Sequence, residues 1–103
     1  MKIGYENRGV GEIKKQCAKF GISPIELSIH IQLVPVRIYE ILKGKRKITV
    51  DTDLRLCRFF GFEPGHFFAL QTEYDFAVAT GKLKDRLARI IPAEKAVLKG
   101  KPG

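Results

Sequence analysis

Residues 23–44, SPIELSIHIQLVPVRIYEILKG, contain two short helical patterns separated by three residues. The first four residues, Ser-Pro-Ile-Glu, can form a capping box with proline in the first turn of a helix that ends near Ile31. The second pattern spans residues 35–42, and Gly44 can end it because glycine adopts positive φ without a Cβ clash. Two short helices joined in this way predict a helix-turn-helix, whose second helix enters the major groove of DNA.

Helical periodicity continues on both sides of this stretch. We expect a first helix over residues 12–20, a fourth helix capped by Thr49 and stopped by Gly61, a fifth over residues 64–79 and a sixth over residues 83–90. In the fourth helix, the apolar stripe that we expect to face inward consists of Leu54, Cys57 and Phe60.

The predicted fold is therefore all-α, a five- to six-helix bundle of lambda-repressor-like helix-turn-helix type. We expect residues 1–10 to be a flexible N-terminal segment and residues 11–92 to be the DNA-binding and dimerisation domain. Residues 93–103, which end in Lys-Pro-Gly, are expected to be a flexible basic tail.

Composition narrows the possible classes of protein. A chain of 103 residues with 45% hydrophobic and 29% charged residues is typical of one globular domain. It has no apolar run of the roughly 18 residues needed to cross a membrane, and its first fifteen residues lack the apolar region of a secretory signal. We therefore expect a cytoplasmic protein with no membrane partner.

The charge of the chain favours an anionic partner. Lys and Arg number 19 against 11 Asp and Glu, so the formal net charge is +8, and residues 34–50 alone carry +4. The cations of this segment surround Gly44 at the end of the second helix of the predicted motif. Three of them are candidates for sequence-independent contacts with DNA phosphates: Lys45, Arg46 and Lys47.

A helical wheel separates an inner and an outer face on residues 35–42. Val34, Ile38, Ile41 and Leu42 group on the inner face. The candidates for reading base edges lie on the outer face and its flank, at Val36, Arg37, Tyr39, Glu40 and Lys43. Arginine can donate two hydrogen bonds to guanine, glutamate can accept from cytosine, and apolar groups can touch the thymine methyl. The alternative is that these residues simply face solvent in a helical bundle.

The fifth predicted helix carries more apolar side chains than one small core needs. Candidates for a dimer interface are Phe67, Phe68, Leu70 and Tyr74, with core packing as the alternative. A two-fold dimer would place two recognition helices about 34 Å apart, one turn of DNA.

No catalytic or metal-binding pattern is present in the sequence. Cys17 and Cys57 lie on apolar stripes and belong to no metal-ligand spacing, which favours small buried side chains. His30 and His66 have no partner at ligand spacing. We expect no enzyme activity, no metal, no cofactor and no small-molecule substrate.

Residues 37–54, RIYEILKGKRKITVDTDL, resemble the Cro/C1-type (XRE) helix-turn-helix of the HigA/VapI-type antitoxins. The matching family pattern opens with Gly11-Glu12-Ile13 and continues after residue 54 at Arg55, Leu56, Arg58, Phe60, Gly61, Pro64, Phe67, Leu70, Gln71, Tyr74, Asp75 and Ala77. The resemblance covers residues 11–92. It implies a homodimer that binds double-stranded operator DNA, represses its own operon and neutralises a HigB-type, ribosome-dependent mRNA endonuclease.

The sequence departs from the family pattern at two positions of the motif. Pro24 stands where the family commonly has a glutamine that contacts the DNA backbone, and Gln32 stands where it usually has a glycine. These departures leave open a helical protein-interaction module that has lost DNA binding. A second alternative, a free-standing helix-turn-helix repressor, shares all the DNA-binding residues and differs only in having no toxin as its partner.

Overall fold

The structure, a computed structural model, describes residues 5–98. These residues form α1 (Arg8–Phe20), α2 (Pro24–His30), α3 (Pro35–Leu42), α4 (Val50–Phe60) and α5 (His66–Arg89), followed by a π-helical turn at Glu94–Leu98. No strand occurs among them. The predicted all-α class is confirmed.

The capping residues predicted from the sequence form the expected contacts. The Glu26 amide donates to Ser23 Oγ at 3.1 Å, and the Ser23 amide donates to Glu26 Oε1 at 2.8 Å, which completes the capping box. Thr49 accepts from the Thr52 amide at the start of α4. Gly61 ends α4 with φ of 83°. These ends depend on neighbours within a few residues, which is why the sequence locates them.

The core lies where α1 and α4 pack on α5, and where α2 and α3 pack on each other. Apolar side chains from every helix and from the loop before α4 fill it, namely Ile13, Cys17, Leu27, Ile31, Ile38, Ile41, Ile48, Leu56, Cys57 and Phe67. Both cysteines are buried and free, as predicted. Burial of these side chains fixes the orientation of the helix-turn-helix on its support.

The first helix begins earlier than the periodicity predicts. Asn7 caps α1 by accepting from the amides of Gly9 and Val10, and α1 starts at Arg8. Residues 7–10 are therefore part of the folded domain, and the predicted flexible segment over residues 1–10 is too long. Residues 1–4 lie outside the described residues.

One continuous helix replaces the predicted fifth and sixth helices. α5 runs for 24 residues and includes Gly81, which lies in the break that the periodicity predicts between residues 79 and 83. A single glycine costs a helix only about 1 kcal/mol, which is too little to end it. At the other terminus of the chain, the π-helical turn occupies the first part of the predicted flexible tail, and residues 99–103 of that tail lie outside the described residues.

The inner face of α4 differs from the predicted stripe. Leu54 is exposed, whereas Asp53 is buried together with Leu56 and Cys57. The reason is that the Asp53 carboxylate accepts hydrogen bonds from the start of α5, which turns this polar residue inward. Val34 is also exposed rather than inward, because it is the N-cap of α3.

Candidate nucleic-acid interface

The outer face of α3 is open to solvent across the predicted base-reading positions. Val36 is 60% exposed, Tyr39 and Lys43 are also exposed, and Arg37 and Glu40 are half-buried. Ile38 and Ile41 on the opposite side are fully buried in the core. The structure therefore brings the five predicted base-reading candidates together on one surface.

Glu40 is not a free acceptor on that surface. Its Oε1 accepts from Arg46 Nε at 2.8 Å, in an ion pair that joins α3 to the following loop. The Lys45 amide also donates to the Glu40 carbonyl at 2.8 Å. Because both contacts hold the basic loop against α3, the candidate base readers and the candidate phosphate contacts form one continuous surface.

The basic loop at residues 43–47 is anchored to α5 by the buried side-chain amide of Gln71. Gln71 Oε1 accepts from the Ile48 amide at 3.0 Å and from Asn7 Nδ2 at 3.1 Å, and Gln71 Nε2 donates to Asp75 Oδ1. Asp75 in turn lies 3.5 Å from Lys47 Nζ. These contacts fix the backbone of the loop, while the side chains of Lys45, Arg46 and Lys47 stay exposed.

The turn between α2 and α3 contains a residue with positive φ. Gln32 has φ of 57°, a conformation that costs a residue with a side chain about 1 kcal/mol or more. The carbonyls on each side of this residue accept from Arg55, whose Nη1 lies 2.9 Å from the Ile31 oxygen and 2.8 Å from the Gln32 oxygen. Gln32 therefore adopts the conformation that the glycine usual at this position of the family pattern adopts without strain.

The cysteines and histidines show structural roles. Burial raises the pKa of both thiols, and the nearby Asp53 carboxylate contributes to the rise at Cys57. His30 stacks on Phe59, and His66 stacks on Phe62 with ring centroids 4.0 Å apart. In residues 5–98, no three His, Cys, Asp or Glu side chains are grouped so that they could hold a metal ion. No helix in this range has the length and apolarity needed to span a bilayer.

The chain is similar to proteins of known structure and name. It is 38% identical over 71 residues to virulence-associated protein I of Dichelobacter nodosus, a match that covers 67% of this chain and 66% of that protein, just under two thirds of its length. It is also 30% identical to an addiction module antidote protein of the HigA family from Coxiella burnetii, with a TM-score of 0.78 over 87% of this chain and 99% of that one. The chain belongs to the HigA antitoxin family.

Other solved structures have the same fold. An antitoxin HigA from Pseudomonas aeruginosa, described with the higBA promoter, is 26% identical, with a TM-score of 0.75 over 82% of this chain and 92% of that one. A second Pseudomonas aeruginosa protein, in complex with its 18 bp operator DNA, is 25% identical, with a TM-score of 0.78 over 88% of this chain and 99% of that one. No protein-family model matches the chain.

The four predicted interface residues of this HigA chain do not form one patch. Phe67 is fully buried in the core, so it is not available to a partner and its prediction as an interface residue is wrong. Tyr74 lines a cavity of about 220 Å³ beside the basic loop. At about 100° per residue, Phe68 and Leu70 lie on opposite flanks of α5. Phe67 is buried in the core because α5 packs on both α1 and α4.

A different apolar stripe lies on the outer face of α5. It consists of Phe76, which is 69% exposed, together with Leu83, Leu87 and the adjoining Ile90. Their spacing of seven, four and three residues places them on one side of the helix, opposite the core-facing Phe67 and Gln71. The stripe is continuous only because α5 is one helix, whereas the periodicity predicts two helices over residues 64–79 and 83–90.

Three buried or half-buried polar residues were also missed. They are Asp53, Gln71 and Arg55, and each one makes contacts with backbone far away in the chain. The available signal was a polar residue at a position that helical periodicity turns inward, which applies to Asp53 beside Leu56 and Cys57 and to Gln71 beside Phe67.

Proposed function

We propose that this HigA-family chain is the antitoxin of a type II toxin–antitoxin module. In this proposal it binds double-stranded operator DNA as a homodimer, represses its own operon and neutralises a HigB-type mRNA endonuclease. The observation that carries the proposal is the exposed outer face of α3 beside a fixed basic loop, in a family whose members include structures with operator DNA. The proposal includes no catalytic step.

The dimensions and charge of the motif support DNA binding. An α-helix with its side chains is about 10–12 Å in diameter, so the eight-residue α3 fits a major groove about 12 Å wide. Lys45, Arg46 and Lys47 follow it directly and are exposed. Contacts between these cations and phosphates would release counterions, so the affinity should fall steeply as salt is raised.

The outer stripe of α5 supports the homodimer. Phe76, Leu83 and Leu87 are exposed on one helix face, and a two-fold axis would place the same stripe of a second copy against it. Pairing the two stripes would bury these apolar side chains. The resulting dimer would carry two copies of α3 to bind the two halves of a palindromic operator.

DNA binding is tested by fluorescence anisotropy with DNA from directly upstream of the gene and a scrambled duplex of the same length, at about 0.15 M salt. We expect a preference for the upstream DNA of about 10³-fold or more, the range of specific regulators. Equal, weak binding to both duplexes would contradict the proposal and favour the protein-interaction module.

The antitoxin role is tested by expressing the protein encoded beside this chain, alone and together with it. We expect arrest of growth by the neighbour alone, recovery on co-expression and co-purification of the two chains. Specific operator binding without any effect on the neighbour would instead identify a free-standing repressor. The two assays therefore separate the three candidate functions.

A further inference from the structure

The turn between α2 and α3 begins with the two backbone hydrogen bonds typical of a helix end that contains a residue with positive φ. Val34, the N-cap of α3, makes no side-chain capping hydrogen bond. The Gln32 amide donates to the Ile29 carbonyl at 3.2 Å, and the Leu33 amide donates to the Ser28 carbonyl at 2.9 Å. Gln32 is the strained point of this turn, because a residue with a side chain adopts positive φ there, and α3 has no capping side chain at its start.

A residue from α4 adds a tertiary constraint to this turn. Arg55 Nη1 donates to the carbonyls of Ile31 and Gln32 at 2.9 and 2.8 Å, across 24 and 23 positions of the chain. Arg55 Nε donates to Asp51 Oδ1 at 2.6 Å, one helical turn earlier, which orients the guanidinium. A cation at this place also interacts favourably with the partial negative charge at the C-terminal end of α2.

We propose that Arg55 is a positioning residue for DNA recognition. It holds the two consecutive carbonyls of Ile31 and Gln32 at the start of the α2–α3 turn, and in this way it helps to set the angle at which α3 presents its outer face. The effect of Arg55 on operator choice rests on the proposed function. Its effect on the conformation of the turn does not, so the two effects can be tested separately.

The competing role for an arginine here is a direct contact with a DNA phosphate. A phosphate contact depends on charge, so lysine would largely replace arginine, and removing the charge would lower the salt slope by about 1 for every duplex. A positioning role depends on the planar group that reaches two carbonyls and a carboxylate at once, which lysine cannot reproduce. Arg55→Lys and Arg55→Gln therefore distinguish the two roles.

The action on the turn is tested by amide hydrogen exchange of the full chain. In Arg55→Gln and Arg55→Lys we expect the Leu33 amide to exchange at least about 10-fold faster, while the Phe67 amide, which donates to Asp53, stays as in the wild type. The matched control is Arg58→Gln, which removes the same charge from an exposed position on the same helix. Unchanged exchange at Leu33 in both Arg55 variants would overturn the proposal.

Recognition is tested by the anisotropy assay on the same variants, at a temperature where each one is folded. We expect both Arg55 variants to lose about 10-fold or more in operator affinity and at most about 3-fold on scrambled DNA, with the salt slope unchanged. Equal losses on both duplexes, full activity of Arg55→Lys, or a slope lower by about 1 in Arg55→Gln would refute positioning. If the wild type itself shows no operator preference, the proposed function fails, and the exchange result still decides the role of Arg55 in the turn.

A second substitution tests whether the effect of Arg55 is specific to the turn or is a general loss of folding. Gln32→Gly removes the side chain that makes positive φ unfavourable, so the turn should need less help from Arg55. We expect the Gln32→Gly, Arg55→Gln double variant to recover part of the Leu33 protection and part of the operator preference. No recovery of either would mean that Arg55 acts through something other than the turn.

Discussion

Asp53 joins α4 to the start of α5 through a buried carboxylate. Asp53 is only 2% exposed, and its carboxylate oxygens accept hydrogen bonds from the backbone amides of Gly65, Phe67 and Phe68 at 2.7 to 2.8 Å. α5 has Gly65 as its N-cap and no capping side chain of its own. A carboxylate from another helix thus satisfies the unpaired amides and complements the helix dipole.

Replacing Asp53 should destabilise the protein strongly. Asp53→Ala leaves three amides without their acceptor, and we expect the free energy of unfolding to fall by about 2–4 kcal/mol. Asp53→Asn keeps one acceptor and should cost less. Urea denaturation measures both values, with the exposed Asp85→Ala as a control near the wild type. A loss below about 1 kcal/mol for Asp53→Ala would contradict the capping role.

Substitutions at two residues of the candidate interface should distinguish a base-specific contact from a phosphate contact that depends on charge alone. Arg37→Ala is expected to cost about 1–3 kcal/mol on the operator and little on scrambled DNA, because a base contact is specific. Lys47→Ala should weaken binding to both duplexes alike and lower the salt slope by about 1, because a phosphate contact carries no sequence information. Anisotropy titrations at several salt concentrations give both quantities. Equal losses on both duplexes for Arg37→Ala would remove its reading role.

At the scale of elements, α1 depends on a close approach to the start of α5. A Cβ on Gly9 would lie 2.8 Å from Ile48 Cδ1 and 3.3 Å from the Phe67 carbonyl oxygen. Backbone at that distance cannot move aside without shifting a helix, whereas a side-chain methyl can rotate. The contact between α1 and α5 therefore limits which residue fits at position 9.

Two glycines of α1 should respond in opposite directions to the same change. Gly9→Ala should lower the free energy of unfolding by about 1–3 kcal/mol through overpacking. Gly11→Ala is the matched control, because nothing lies within 4 Å of the added Cβ, and it should raise stability by about 0.5–1 kcal/mol. Thermal unfolding followed by circular dichroism compares them. Stabilisation by both substitutions would show that α1 and α5 lie farther apart than the structure places them.

The whole molecule is elongated for its length. Its radius of gyration is 19.2 Å, against about 13 Å for a compact chain of 100 residues, and its longest dimension is 64 Å. The second half of α5 contributes to this shape, since residues 79–89 continue the helix beyond its core-packed part and are exposed. An apolar stripe on such an extension is exposed in a single copy of the chain.

Removing the stripe should dissociate the proposed dimer. Leu83→Ser with Leu87→Ser deletes two apolar side chains from the outer face of α5, and we expect the mass measured by light scattering to fall from twice 11.6 kDa to 11.6 kDa. The control pair, Lys84→Ser with Asp85→Ser, changes the same turn of helix without changing net charge and should remain dimeric. A wild type that is monomeric at micromolar concentration would exclude this interface.

The amino-acid sequence by itself determined the features that arise from neighbours along the chain. The capping box at Ser23, the cap at Thr49 and the stop at Gly61 each depend on residues within four positions. The inner and outer faces of α3 follow from helical periodicity, and the order of residues in the basic loop supplied both its charge and the family resemblance. These are short-range properties, so the prediction and the structure agree on them.

The tertiary structure decided what depends on contacts between distant residues. Gln71 joins Asn7 to the basic loop across 64 positions, and Arg55 reaches the α2–α3 turn across more than 20. Asp53 faces inward only because the start of α5 lies against it. Phe67, which was predicted to lie at the dimer interface, is instead buried in the core. Helical periodicity can place Asp53 and Gln71 on inward faces, but no local pattern identifies their distant partners. Each polar side chain is stabilised in a buried place only once that partner is present.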